Sequence, residues 1–165
     1  MSRTFGNPAD YSGRLFDLLA FRGAVPVGQT LLDQTLFGTD ASGEVCTGVQ
    51  MLAQRWLLKF LTISGSMTYL PDEGTDFIGQ VRRGELVTES DIEGAFNIAA
   101  VEVRTALLNE ETDAMNDEER MDSAELLQIT LADDSFSLTV EITSLAGTSR
   151  KVILPIPYLP IKVGP

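Results

Sequence analysis

Nucleophilic and acid–base chemistry need particular side chains within reach of one another, and this chain is short of them. It contains no histidine, so neither a serine nor a cysteine nucleophile has its usual base. Cys46 is the single cysteine, which excludes an intramolecular disulfide and leaves a small buried or half-buried thiol as its plain reading. Ser64, Gly65 and Ser66 lack the spacing of a nucleophile elbow and read as a turn. Lys59, Lys151 and Lys162 follow no glycine-rich loop, and no GxGxxG occurs, so two common phosphate cradles are missing.

Carboxylates remain. Asp72, Glu73 and Asp76 cluster about one turn, with Glu85 and Asp91 near in sequence. Two acids about 5–9 Å apart could do the acid–base work of a glycosidase. One would need a raised pKa, and the aromatics for sugar stacking are chiefly Trp56 and Tyr69, so this is a remote alternative. A denser group is Glu110, Glu111, Asp113, Asp117, Glu118, Glu119, Asp122 and Glu125, opposed by Arg120 alone. An EF-hand loop needs glycine at its sixth position, and this stretch has none. No metal and no other cofactor is expected. Residues 110–122 read as a solvated acidic loop, or as a docking surface for a basic partner that would use Glu110, Glu111, Asp117 and Glu118.

Charge and length narrow the classes further. The 165 residues carry a formal charge of −12, which opposes nucleic-acid binding and docking on an anionic membrane. No stretch approaches the length of a spanning helix, and the first residues lack the apolar run of a secretory signal. The expectation is one domain over residues 45–156, preceded by an irregular arm (1–44) and followed by an extended tail (157–165).

The elements that must position these groups start at Gly48. Val49, Leu52, Ala53, Trp56, Leu57 and Phe60 fall on one helical face, with Gln50, Gln54, Arg55 and Lys59 opposite and Thr47 as N-cap. Turns are expected at Ser64–Gly65 and over 71–74, with Met67 to Leu70 extended between them. Thr75 or Asp76 would cap a short helix over Phe77, Ile78 and Val81, whose end carries Arg82 and Arg83 beside the dipole. The best helix runs from Thr88 to about Asn109, with Ser90 and Glu93 as a capping box and Ile92, Phe96, Ala99, Val103 and Leu107 inward. It should pack on the Trp56 helix.

From Leu127 the period becomes two. Leu127, Ile129 and Leu131 alternate with polar residues, as do Phe136, Leu138, Val140 and Ile142, with Asp133, Asp134 and Ser135 between them. A third strand follows over 150–156 with Val152 and Leu154. The predicted class is α+β, with helices packed on one face of a small antiparallel sheet. Prolines 155, 157, 160 and 165 make the end of the chain extended or an edge strand, yet Ile156, Tyr158, Leu159, Ile161 and Val163 are apolar. These residues pack either on this domain or on a partner. Val152, Leu154, Ile156, Tyr158, Leu159 and Ile161 are therefore candidate contacts.

The helix from Gly48, then Leu61 to Ser66, Met67 to Leu70, and Pro71 to Phe77, resembles the baseplate wedge, or sheath-initiator, family of contractile-tail phages and related injection machines. That family has a helix entering a leucine, leucine, threonine, x, x, glycine turn. A short extended piece and a proline, x, x, glycine, x, aspartate or serine turn follow. The resemblance covers about residues 46 to 156. It departs where many members carry a Glu-Pro-Arg signature for docking on neighbouring wedge subunits. This chain reads Asn109, Glu110, Glu111, Thr112, so that carry-over reaches no further than Glu110 or Glu111. The resemblance implies a non-catalytic structural subunit made in the bacterial host cytoplasm and built into the virion tail baseplate. Its partners would be baseplate wedge proteins, tail tube and sheath subunits, with six copies in a ring. A tail-tube or tail-completion adaptor, or a secretion-system baseplate subunit, is the alternative.

Overall fold

Helix α1 (Gly48–Leu61) turns Leu52, Ala53, Trp56, Leu57 and Phe60 into the core, as the periodicity of its sequence requires. This computed structural model describes residues 17–18 and 45–158, and the side chains of 47–158. Before α1, β1 (Asp17–Leu18) pairs antiparallel with β2 (Val45–Cys46). The rest of residues 1–44 and all of 159–165 lie outside the described residues, as do the side chain of Cys46 and those of Leu159 and Ile161.

The polar side of α1 departs from expectation. Gln54 is buried, and Arg55 and Lys59 are largely covered, with Glu110 from the end of the long helix bonded to both cations. Thr47 holds the N-cap position with extended backbone but makes no side-chain cap. Gly48 begins the helix at a φ of +59°, and a Cβ there would meet Glu118 Oε2 at 3.0 Å. The acid that complements the helix N-terminus thus comes from a distant segment.

After α1 the chain forms a latched corner. Thr75 N donates to Thr62 O (2.8 Å), Ser64 N to Thr75 O (3.0 Å) and Gly65 N to Pro71 O (2.9 Å). The buried Thr75 hydroxyl donates to Phe60 O (2.9 Å), one of the carbonyls a helix end leaves open. Gly74 has φ +96°, and a Cβ there would stand 2.3 Å from Thr62 O, so no side chain fits. Within the corner, Met67 to Leu70 is not extended. Leu70 N bonds back to Met67 O (3.3 Å), because a loop closed at its base must reverse direction at its tip.

Helix α2 (Phe77–Arg83) has Asp76 at its N-cap and ends on Gly84 in the left-handed region. Arg83 grips Asp76 at 2.7 Å and Glu85 at 2.6 Å, spanning both ends of the helix. Helix α3 (Glu89–Glu110) buries Ile92, Ala95, Phe96, Ala99, Val103 and Leu107. Its capping box is not Ser90 and Glu93 but Thr88 and Asp91. The Thr88 hydroxyl accepts from Asp91 N (3.2 Å), and the Asp91 carboxylate accepts from Thr88 N (2.8 Å). Thr88 wins because its backbone is the extended one and Ser90 already lies inside the helix.

Strands β3 (Met121–Leu131), β4 (Ser135–Ser144) and β5 (Ser149–Pro157) form an antiparallel sheet in the order β3-β4-β5. The fold is thus mixed α+β. In β4 every second residue from Phe136 to Ser144 is buried, as alternation requires. Strand β3 starts six residues before the expected Leu127. Leu126 pairs with Val140 and Gln128 with Thr139, so Leu127 is a bulge residue, and it is exposed. Asp122 occupies a second irregularity between Met121 and Ser123. The two bulges bring Met121, Ala124, Leu126 and Ile129 toward the core at spacings of three, two and three.

A run of rings ties the layers together. Trp56 stacks on Phe60 at 4.7 Å, Phe60 touches Phe77 and Phe96, Phe77 meets Phe136, and Phe136 meets Tyr158 at 5.3 Å. The predicted packing of the Trp56 helix on α3 is present in this cluster. The cluster extends from α1 through α2 and α3 to β4 and the residue just past β5.

Candidate interaction surfaces

The acidic segment after α3 is built into the domain. Glu110, the last residue of α3, bonds Arg55 (2.8 Å) and Lys59 (2.6 Å), and Lys59 also bonds Glu73 (2.6 Å). Burial opposes the charge of Glu110, but the bonds from Lys59 and Arg55 outweigh it and hold its pKa below the usual carboxylate range. Burial likewise opposes the charge of Lys59, and the bonds to Glu110 and Glu73 raise its pKa despite that.

Glu111 is more enclosed, its side chain only 4% exposed. It accepts a hydrogen bond from Met121 N (2.6 Å) and stands 3.5 Å from Arg120 Nε. Glu119 is fully buried. Asn116 organises the turn between them, with its Oδ1 accepting from Glu118 N (3.1 Å) and its O from Glu119 N (2.8 Å). Leu145 N donates to Arg120 O (3.0 Å) and Ala146 N to Asp117 O (3.2 Å), pinning the segment to the β4–β5 turn.

The expectation of a solvated loop over 110–122 holds for Thr112, Asp113, Ala114, Asp117 and Asp122, which are exposed, but not for Glu111 and Glu119. Glu110, Glu111 and Glu118 hold internal joints; of the four candidate contacts Glu110 and Asp117 are exposed, and Glu111 and Glu118 are half-buried. Glu110 and Glu118 read as surplus charge in the sequence because Arg55, Lys59 and the N-terminus of α1 lie over fifty residues away, whereas Glu111 is held by Met121 N only ten residues on.

The last strand is corrected in a similar way. Leu154 and Ile156 are buried, and Val152 and Tyr158 pack against the core, so these side chains serve this domain. Strand β5 also carries the fold past the expected boundary at Ile156. What β5 does present is its outer edge. Tyr158 N donates to Asp134 O across from the end of β4, so the even-numbered residues of β5 turn their N–H groups inward and the odd ones outward. Pro155 and Pro157 fall on the outward set and give no donor. Ser149, Lys151 and Ile153 keep both outward donors and acceptors.

Among the acids considered for acid–base work, Asp76 and Glu85 are held below the usual range by hydrogen bonds from Arg83. Asp91 is held low by bonds from the Thr88 side chain and backbone. None of these three has the raised value a general acid needs. No group of three or more acids or cysteines is arranged to hold a metal ion among the described residues. No helix among them is long and apolar enough to cross a membrane.

Two exposed apolar features were missed by the sequence reading. Tyr69 stands 94% exposed at the tip of the latched corner, between the exposed Met67 and Leu70. Helix α3 carries a second apolar set, Ile98, Val101 and Leu108, on its solvent side. Its signal was in the sequence as a second periodicity offset from the core-facing one.

No family model, no curated protein and no solved structure matches this chain.

Proposed function

We propose that this chain is a structural subunit of a contractile-tail baseplate, bridging wedge proteins and the tail tube and templating the first ring of sheath subunits. The observation that supports this reading best is the latched corner between α1 and α2. The residues that carry the family resemblance, Leu61 to Gly65 and Pro71 to Phe77, are the ones bonded to one another around Thr75. The element order also suits it: a helix, the corner, a long helix, and then a three-stranded antiparallel sheet.

In this role the corner and core are scaffold, and contacts are made at edges. The outer edge of β5 from Ser149 to Ile153 is where an extended strand from a sheath subunit would add to the sheet. The prolines at 155 and 157 end that pairing on one side and so fix its register. Electron microscopy of the particle that contains this chain tests the reading. Six copies around the tube, with β5 facing sheath, is the expected result. Six copies facing tube alone would favour the completion-adaptor role, and a free monomer would sink both.

A further inference from the structure

The sheet has a second edge, along β3, and part of it borders a groove. Ala132 N donates to Ser135 O, Tyr158 N to Asp134 O and Ser144 N to Thr148 O, so the odd residues of β4 bond β3 and the even ones bond β5. Ser123 and Glu125, opposite Thr143 and Glu141, therefore spend their N–H and carbonyl groups on β4, while Ala124 and Leu126 turn theirs outward. The bulges at Asp122 and Leu127 bracket this stretch, and Met121 N before it is taken by Glu111 (2.6 Å). The regular open edge on this side is thus confined to residues 123–126. Beside it a groove of about 430 Å³ runs between α3 and the start of β3, lined by Asn97, Ala100, Val101 and Arg104 on one side and residues 121–124 on the other.

We infer that this groove binds an extended peptide segment, which adds to the edge of β3 and sends one large apolar side chain between α3 and the sheet. The backbone selects the occupant. Ala124 and Leu126 each offer an N–H and a carbonyl at the spacing of a strand, and an extended chain meets both pairs, whereas a helix has already spent its own groups. The space selects the anchor. Ala124 lies opposite the buried Ile142, on the face that α3 covers, so the residue paired with Ala124 points the same way, toward Ala100 and Val101. Ala100 and Ala124 are short and only partly buried, and Val101 is 65% exposed, so a side chain the size of leucine or phenylalanine finds room and apolar walls there. Arg104 and Asp122 put one charge of each sign on the two walls, so net charge leaves the choice to backbone and shape.

A second copy of this chain fits less well. A two-fold antiparallel pair of β3 edges that uses both Ala124 and Leu126 sets Glu125 directly against Glu125, while each chain carries −12 overall. A single strand of a partner meets no such conflict. Because the bulges limit the pairing to a few residues, the anchor in the groove must supply part of the affinity. The inference concerns the edge opposite β5 and does not depend on the baseplate reading.

The test pans a displayed library of random linear peptides against the full-length chain, with Ala124→Pro as counter-selection. That proline removes an N–H that no bond uses among the described residues, and an outward edge position tolerates it, so thermal unfolding should match the parent. The enriched peptides should share an aliphatic or aromatic anchor and bind Ala124→Pro roughly tenfold or more weakly. Two readings on the unaltered chain decide the matter even if that variant folds poorly. N-methylation walked along an enriched peptide should block binding at alternate residues and spare those between, as strand pairing requires. The bound peptide should also slow amide exchange at Ala124 and Leu126 and leave Lys151 and Ile153 unchanged. The inference is overturned by no enrichment over the Ala124→Pro chain, by an N-methyl pattern without period two, or by protection at Lys151 and Ile153 instead. Dimerisation of the chain that Ala124→Pro abolishes would also overturn it, since the occupant would then be a second copy.

Discussion

Replacing Glu111 by alanine separates the two roles that an acidic segment can have. Glu111 follows the last residue of α3, and its carboxylate caps the first N–H of β3 at 2.6 Å, in a place where Met121 itself is buried. Alanine leaves that N–H buried with no acceptor, which costs about 1–3 kcal/mol. Arg120 also loses a carboxylate 3.5 Å away, but its side chain is 29% exposed and retains Asp117, so this adds at most about 1 kcal/mol. The expected loss is about 2–3 kcal/mol. For a chain of this length that lowers Tm by about 4–12 °C. Glu111→Gln keeps an oxygen for Met121 and should lose about half as much. Asp113, exposed in the same segment, is the control, and Asp113→Ala should stay within about 0.5 kcal/mol of the parent. Urea denaturation followed by tryptophan fluorescence reads all three, since Trp56 sits at the centre of the core. Equal midpoints for Glu111→Ala and Asp113→Ala would refute the reasoning and restore the picture of a solvated loop.

Thr75→Val keeps the shape of the corner but leaves Phe60 O without its hydroxyl donor, and should cost about 1–2 kcal/mol. Faster amide exchange at Ser64, whose N–H ends on Thr75 O, would show that the corner has loosened; unchanged exchange and midpoint would not fit. Leu154→Ala should cost about 2–5 kcal/mol, whereas Ile153→Ala, on the exposed side of the same strand, should cost far less. Equal losses in chemical denaturation would contradict the assigned faces of β5. Stability should also depend on pH at both ends. The pKa of Glu110 is lowered on folding, so its contribution is present above its unfolded value near 4.5 and is lost as pH falls through the folded value. The pKa of Lys59 is raised, so its contribution is full below about 10.5 and is lost as pH rises through the folded value. Glu110→Gln should flatten part of the acid limb in urea midpoints measured against pH, and an unchanged limb would discount the network.

Local signals were legible where one physical requirement decided the residues. The buried stripe of α1, the inward row of α3 and the alternation of β4 were all readable because each faces one core from one side. The rest failed where distant partners decide. Met121 to Leu126 carries Asp122, Ser123 and Glu125, and its inward residues break period two at both bulges, so its strand was not legible although it pairs with β4. Arg55 and Lys59 read only as the polar side of α1 because nothing local reveals that Glu110 and Glu73 close over them. The same blindness made Glu110 and Glu118 look like free charge, and left open whether Leu154 and Ile156 pack on this domain or on a partner.

The division of β5 into two sides limits what its edge can do in an assembly. Its even residues are committed to the core, which leaves three outward residues, Ser149, Lys151 and Ile153, with an N–H and a carbonyl each. Six hydrogen bonds at about 0.5–1.5 kcal/mol net would supply about 3–9 kcal/mol. Joining two bodies costs about 4–15 kcal/mol before side chains are ordered. Strand addition at this edge therefore sets register but does not hold a neighbour by itself. A subunit placed in a ring by this edge needs a second surface with apolar area to bury. Among the described residues the exposed apolar side chains include Leu58, Val87, Leu131, Leu145 and the Tyr69 tip, and those of α3, Ile98, Val101 and Leu108, share one side of a single helix. Under the baseplate reading, strand pairing would select the position of the neighbour, and burial of apolar surface would keep it there.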